Sequence, residues 1–580
     1  MGWSKIDRPI NRPLVYRFGS RYAIREAYPC RRRNLAMTDK LPTAAANMPT
    51  QTLSPPKSFF GILSYLGPGL IIAASIVGSG ELIATTLTGA RGGLSLLWLI
   101  ILGCVVKVFA QIEIGRFTVS TGIPTLSALN TVPGPRISGR GNWLVWYWFF
   151  MWFCSIGQLG GIVGSVGQVL SIVQPLTTQG ADYKTIGNLE TQIKLASVKS
   201  RSASPQEKEA MALESKNIQQ QLDGLKRDYL AKYASGSGKS QSNEELVTSM
   251  SVAGLPRPMD DRYWAVPVAI ITAALLFYGG YSLVQSASTA MVAIFTLVTL
   301  ATVIGLQAKP DWSISASEWL QGLSFGLPEG DKLKALTTAL ATVGIIGVGA
   351  AELIQYPYWC IEKGYAKHTG PDDGSNAWLE RARGWLKVMH YDIWVSMLIY
   401  TTATIGFFVL GAGILHRSGI QPEESKLIQT LSAMYEPVLG SWAPPIYLFG
   451  AFMVLYSTYY VANASHARTF TDGLSILNLV GRDQVSQGRM IKFLSALFPM
   501  LCLLVYWVLP SPAWLVLISG SAQAVMLPML GFAALYFRYY KTRRELHGSK
   551  WIEIGLWISV ALLFVIGLTN LYLEVSKFFK

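Results

Sequence analysis

Charged side chains are scarce in this chain of 580 residues: Asp, Glu, Lys and Arg make up 14%, and the acids are the scarcer, 34 against 49 bases. With 51% hydrophobic and 12% aromatic residues, that scarcity excludes a string of soluble domains and describes a polytopic membrane protein. Histidine is rarer still. All five (His368, His390, His416, His466, His547) fall in expected loops or at the ends of apolar stretches, so no imidazole is expected at membrane depth and a histidine-based metal site is not expected. The five cysteines (Cys30, Cys104, Cys154, Cys360, Cys502) show no C-x-x-C spacing, and four sit in apolar stretches. They imply neither a disulfide framework nor a zinc site. No nucleophile, histidine and acid stand together in a plausible catalytic arrangement, which argues against an enzyme. The net charge of +15 could suggest nucleic acid, yet the bases lie mostly in the N-terminal tail and in short loops between apolar stretches. That is the positive-inside pattern, so the expected partner is the lipid bilayer and not nucleic acid.

What the chain does have is a motif used twice. Val77-Gly78-Ser79-Gly80-Glu81-Leu82-Ile83 and Val348-Gly349-Ala350-Ala351-Glu352-Leu353-Ile354 share V-G-x-x-E-L-I, each inside a long apolar segment. A carboxylate in a bilayer-spanning helix is costly and usually faces a cavity or a partner. Glycine loosens the helix by roughly 1 kcal/mol relative to alanine, and backbone freed in this way survives only where protein or a water-filled site covers it. A Gly-rich patch taken alone is more often a packing surface. Paired interruptions in two halves of a chain, however, point to the binding site of an inverted-repeat transporter. Gly78, Ser79, Gly80, Glu81, Gly349, Ala350 and Glu352 are therefore the expected floor of one substrate site.

Along the chain, residues 1–57 read as a basic cytoplasmic tail without fixed structure, and residues 58–175 as spans one to three. The second span carries Lys107 well inside it. That lysine is a partner for a site carboxylate or a fixed cation replacing an ion, or else a snorkelling side chain or member of a stable ion pair. Glu113 and Arg116, at i and i+3, are expected to pair. Residues 176–262 break the membrane pattern: Ser204-Pro205-Gln206-Glu207 is a capping box, and Ile218, Leu222, Leu225 and Tyr229 recur at helical spacing. With Ile186, Leu189 and Ile193 they suggest an extracytoplasmic helical hairpin or a solvated spacer. Spans four and five follow (263–306), then an outer linker (307–332), spans six to ten (333–536), and a basic loop with span eleven (537–580). Pro357, beside Tyr356, Tyr358 and Trp359, is taken to support a break in span six. Residues 364–388 and the stretch from His466 to Lys492 read as inner loops. The expectation is an all-α polytopic membrane protein of about eleven transmembrane helices with a soluble helical insert and a cytoplasmic N-terminus.

Leu66-Gly67-Pro68, Thr88-Gly89-Ala90-Arg91-Gly92-Gly93-Leu94-Ser95-Leu96-Leu97-Trp98, Gln111 and Ser120-Thr121-Gly122 resemble the natural resistance-associated macrophage protein (Nramp) family, as do Asp392 and Leu527-Pro528. The resemblance implies a leucine-transporter-like 5+5 inverted repeat and proton-coupled transport of manganese, iron and similar divalent metals. The chain departs from the family where metal is bound. Gly78-Ser79-Gly80-Glu81 stands on the family's Asp-Pro-Gly-Asn, and Gly349-Ala350-Ala351-Glu352 on its Met-Pro-His-Asn. A register four residues later would place Gln355 in that motif. Under either register the thioether and the histidine are missing. The acidic pair of the family's third span is absent too, Gln158 being the nearest polar group, which puts the usual proton route in question.

Carboxylate and carbonyl oxygens suit magnesium, calcium or manganese better than softer metals. The resulting expectation is a secondary transporter that moves a divalent cation such as Mn2+ or Mg2+ by alternating access. Glu81 and Glu352 are its candidate metal ligands, and Lys107 or Glu113 a candidate coupling or ion-pair residue. No cofactor is expected, and proton coupling would use the two carboxylates. The alternatives are a transporter of an amino acid, amine or organic cation on the same scaffold, and a membrane sensor that binds without transport.

Overall fold

The computed structural model describes residues 52–576 apart from 138–139, 203–204, 234–253, 280, 329–331, 421 and 423–426. The tail expected over 1–57 lies outside the described residues up to residue 51. From Leu53 onward the chain is tied down, its amide donating to His368 O and its carbonyl accepting from Trp385 Nε1.

The longer helices are α1 (Pro68–Ile76), α2 (Thr86–Gly92), α3 (Leu97–Val105), α4 (Val108–Thr121), α5 (Trp143–Val173), α6 (Thr178–Ser202), α7 (Pro205–Tyr233), α8 (Asp260–Tyr278), α9 (Tyr281–Gln307), α10 (Lys332–Ile345), α11 (Ala350–Lys363), α12 (Asn376–Leu410), α13 (Ala443–Ile476), α14 (Gln484–Val508), α15 (Pro512–Tyr536) and α16 (Lys550–Ser576). Nine helical runs among the described residues are long and apolar enough to cross a membrane. The first of them, Pro68–Thr121, doubles back at Gly93, whose φ of +60° suits a glycine. Contacts with α12 show the reversal. Gly69 lies against Asp392, Glu81 meets Thr404 and Gly89 lies against Phe408, so span one runs parallel to α12. Phe109 meets Trp394 and Gly115 meets Met389, so the next leg runs antiparallel. α8 opens on Asp260, Asp261 and Arg262 and is not among the nine.

The fold is the leucine-transporter-like inverted repeat, and its mark is a pair of broken helices. Span one stops at Ile76 and resumes with a π-helical turn, Ser79–Thr85, that leads into α2. Span six stops at Ile345 and resumes at Ala350, with Gly347 between them at φ +56°. Both interruptions fall on the repeated motif. Pro357 does not mark one: α11 runs through it, and the break lies at 346–349. Proline removes one amide from the ladder, whereas the positive-φ glycine turns the whole chain.

Two expected loops are helical. α13 continues past Val461 through His466 and Arg468 to Ile476, and α12 begins at Asn376, with Ser375 Oγ accepting from Trp378 N. In α13 polar residues prolong the helix because they meet partners on a neighbouring helix: Ser465 Oγ accepts from Trp359 Nε1, and Arg468 pairs with Glu362 at 2.5 Å. The expectation that every histidine lies in a loop or at a span end therefore fails for His466, which is buried inside α13, and for His390, which lies within α12. Outside the bundle, α6 and α7 pack on each other through Tyr183, Ile186, Leu222 and Tyr229. The Asp260 carboxylate fastens the base of α6, accepting from the amides of Leu176 and Thr177 and the Thr177 hydroxyl. Ser204 lies outside the described residues.

Candidate functional site

At the break in span one the chain passes so close to α13 that only glycine fits. A Cβ on Gly78 would stand 1.7 Å from Thr458 Oγ1 and 2.6 Å from its Cβ. A helix end leaves its last carbonyls without amide partners; here Ala74 O accepts from Ser457 Oγ at 3.3 Å and Thr458 Oγ1 at 3.4 Å. The other end of α1 is held by Asp392, whose two oxygens accept from Gly67 N (2.9 Å) and Gly69 N (2.6 Å), while Tyr356 Oη donates to it at 3.0 Å. A buried carboxylate at a helix N-terminus, with proline at the first helical position, is a favourable start.

After the break, Glu81 lies in the first turn of the resumed helix, fully buried. Thr404 Oγ1 donates to its Oε1 at 3.0 Å, and its Oε2 has no hydrogen-bond partner. Glu352 occupies the equivalent first turn of α11 and is half-buried. It folds back over Gly349, where a Cβ would stand 2.5 Å from Oε2 and 2.9 Å from Gln523 Oε1. The Ser75 hydroxyl lies beside it, and Glu352 Oε2 is also unpartnered. Both glutamates thus sit where the positive end of a half-helix favours an anion.

The break in span six is closed differently. Lys107, buried between α3 and α4, donates from Nζ to Val343 O and to Ile346 O, each at 2.6 Å. The charges of Glu81 and Glu352 both act on it. Close packing brings it there: a Cβ on Gly347 would come within 2.8 Å of Cys104 Cα, and one on Gly103 within 3.1 Å of Val343.

A chain of amides and hydroxyls joins the two breaks. Gln158 of α5 donates to Ser79 Oγ (3.0 Å), and its carbonyl accepts from Ser519 Oγ (2.8 Å) and Gln523 Nε2 (3.1 Å). Gln523 Oε1 in turn accepts from Ala351 N at 3.1 Å. Gly80 completes the meeting, with a Cβ position 3.4 Å from Ile345 O. The structure therefore brings Gly78, Ser79, Gly80, Glu81, Gly349, Ala350 and Glu352 into one region with Lys107. Thr404, Ser75 and Gln523 belong to it as well, but each is a small or amide polar residue within an apolar segment, and no sequence pattern marked them.

Two candidates lie elsewhere. Gln355 stands further along α11, its Nε2 3.4 Å from His466 Nδ1. Glu113 is locked with two arginines, Arg116 Nε at 3.1 Å and Arg538 at 2.8 Å, all three buried. The aromatics after Glu352 act as joints: Tyr358 donates to Asp472 at 2.7 Å, and Tyr356 to Asp392. At the end of α11, Ser64, Tyr65, Ser282, Gln285, Glu362 and Lys363 line a cavity of about 370 Å3. No group of three or more His, Cys, Asp or Glu side chains that could hold a metal ion occurs among the described residues.

A family model described as natural resistance-associated macrophage protein-like matches residues 245–573. No curated protein matches the chain. Among solved structures, the manganese transporter of Eremococcus coleocola, in complex with an aromatic bis-isothiourea substituted compound, is similar with a TM-score of 0.56 at 12% identity, covering 92% of each chain. Two point mutants of that transporter give the same score at 12% and 14% identity over 91% of each chain.

Proposed function

The chain belongs to the natural resistance-associated macrophage protein-like family, and from that membership we propose that it is a multi-pass secondary transporter carrying a divalent metal cation across the bilayer by alternating access. One observation carries the proposal: the two helix breaks each set a glutamate in the first turn of the resumed half-helix, with one carboxylate oxygen that makes no hydrogen bond of good geometry. Buried polar atoms are ordinarily paired, so carboxylate oxygens without a close partner at both breaks support a site that receives a cation. The Ser75 hydroxyl, beside Glu352, adds a third oxygen there. Oxygen ligands favour a hard ion such as Mn2+ or Mg2+, which keeps part of its water shell; the structural neighbours described as manganese transporters fit that class. A proton held by either carboxylate would be released as the metal arrives, which supplies the coupling. The basic N-terminal tail and basic loops support a cytoplasmic N-terminus.

A second reading, transport of a small organic cation or amine, is favoured by the absence of a three-ligand group among the described residues. Purified protein in liposomes decides between the two. Saturable uptake of Mn2+, Mg2+ or Ca2+, lost in Glu81→Gln and in Glu352→Gln, is the expected result. Indifference to all three metals, with uptake of an amine or amino acid, overturns the first reading. Binding without flux overturns both and leaves a sensor.

A further inference from the structure

In an unbroken helix Val343 O and Ile346 O would accept from the amides four residues on, Gly347 and Ala350. The break removes both donors and leaves the negative end of α10 facing two glutamates. Such an assembly of freed carbonyls and carboxylates is a cation site in its own right, the kind that unwound helices in transporters use for a coupling ion. Here the site is already filled. The Lys107 ammonium makes two short, charge-assisted bonds to these carbonyls, and the attraction of both carboxylates reaches it. Its surroundings leave it no path to water: Lys107 is 0% exposed, and the helix is interrupted at this residue, where Val106 O accepts from Ser559 of α16. A snorkelling lysine would extend toward an interface; this one turns inward onto a helix end. An ordinary ion pair would make its short contacts to a carboxylate; these go to main-chain carbonyls.

We propose that Lys107 is a tethered cation standing in the place of a bound ion at the break of span six. The break therefore takes no ion from solution, and the cargo meets a site that already carries one fixed positive charge beside its two glutamates. The clause about cargo rests on the transport reading above; the occupancy of the break does not.

The test uses full-length protein in detergent, with sodium chloride titrated against choline chloride at constant ionic strength. The melting midpoint of the wild type should stay flat as sodium replaces choline. That of Lys107→Met should rise saturably, because sodium can now take the vacated carbonyls. The rise should vanish in the double variant with Glu352→Gln, and Lys107→Arg, which keeps the cation, should resemble the wild type. If Lys107→Met survives purification only in sodium, the proposal is supported; if it fails in both salts, or folds and ignores sodium, the proposal is overturned. A sodium response of the wild type equal to that of the variant overturns it too. None of these readouts uses cargo, so Mn2+ uptake in liposomes tests the transport reading separately.

Discussion

Gly78→Ala should loosen the junction between span one and α13. The added Cβ would lie 1.7 Å from Thr458 Oγ1, 2.6 Å from its Cβ and 3.2 Å from its Cγ2. Rotating Thr458 moves the oxygen away and gives up the bond to Ala74 O. It cannot move the Thr458 Cβ. Carbon atoms in good contact stand about 3.5–4.0 Å apart, so the two helices must part by about 1 Å. Overpacking of this kind costs about 1–3 kcal/mol, and the parting withdraws the hydroxyls that cover the freed carbonyls of α1. Thermal unfolding in detergent and metal uptake in liposomes should both fall. Thr458→Gly removes the obstructing atoms at a cost of about 1 kcal/mol in a helix interior, so the double variant should recover much of what Gly78→Ala loses. The coupling read from the four proteins should reach at least about 1 kcal/mol, as expected for residues in direct contact. Wild-type stability and uptake in Gly78→Ala, or additive effects in the double variant, would refute the reasoning.

Glu113→Gln leaves the buried guanidinium groups of Arg116 and Arg538 without their carboxylate. It should cost about 3–5 kcal/mol, while the Mn2+ to Ca2+ uptake ratio of the surviving protein stays at the wild-type value; a changed ratio would move Glu113 into the transport site. Asp392→Ala strips the acceptors from Gly67 N, Gly69 N and Tyr356 Oη. Each buried donor left unpaired costs about 1–3 kcal/mol, so the thermal midpoint should drop further than in Asp392→Asn, and equal midpoints would show that α1 is not held there.

The breaks were legible because small residues and an acid recur in the same order in two apolar segments, and because an acid inside a membrane helix demands a reason. Lys107 was legible as an anomaly of depth, but its partners were not, since they are main-chain carbonyls of Val343 and Ile346 and carry no residue signature. His466 was misplaced because hydropathy falls at Asn463, Ser465 and Arg468. Those residues bond to Trp359, Glu362 and their own helix, and so prolong α13. Pro357 misled for the opposite reason, being a strong local signal inside a helix whose actual turn is Gly347. Gln523 and Thr404 illustrate a third limit: an amide or hydroxyl in an apolar segment gains meaning only when another helix is placed against it.

The two motifs share a sequence but not a mode of closure, and the difference says where the fold can bend. The carbonyl freed at the end of α1 is covered by two neutral hydroxyls at 3.3 and 3.4 Å, long contacts that contribute little. Those freed at the end of α10 hold an ammonium at 2.6 Å, a pair of short charge-assisted bonds in a buried setting. Separating an ammonium from its acceptors inside the bundle leaves a charge uncompensated, whereas parting a hydroxyl from a carbonyl 3.4 Å away forfeits little. Meanwhile the far end of α1 is fastened by Asp392 to α12. A helix secured at its start and weakly held at its end has its softest point at Val77-Gly78, beside Glu81. The break of span six, pinned by Lys107, is the stiffer of the two, and parting the helices there would cost more than parting them at span one.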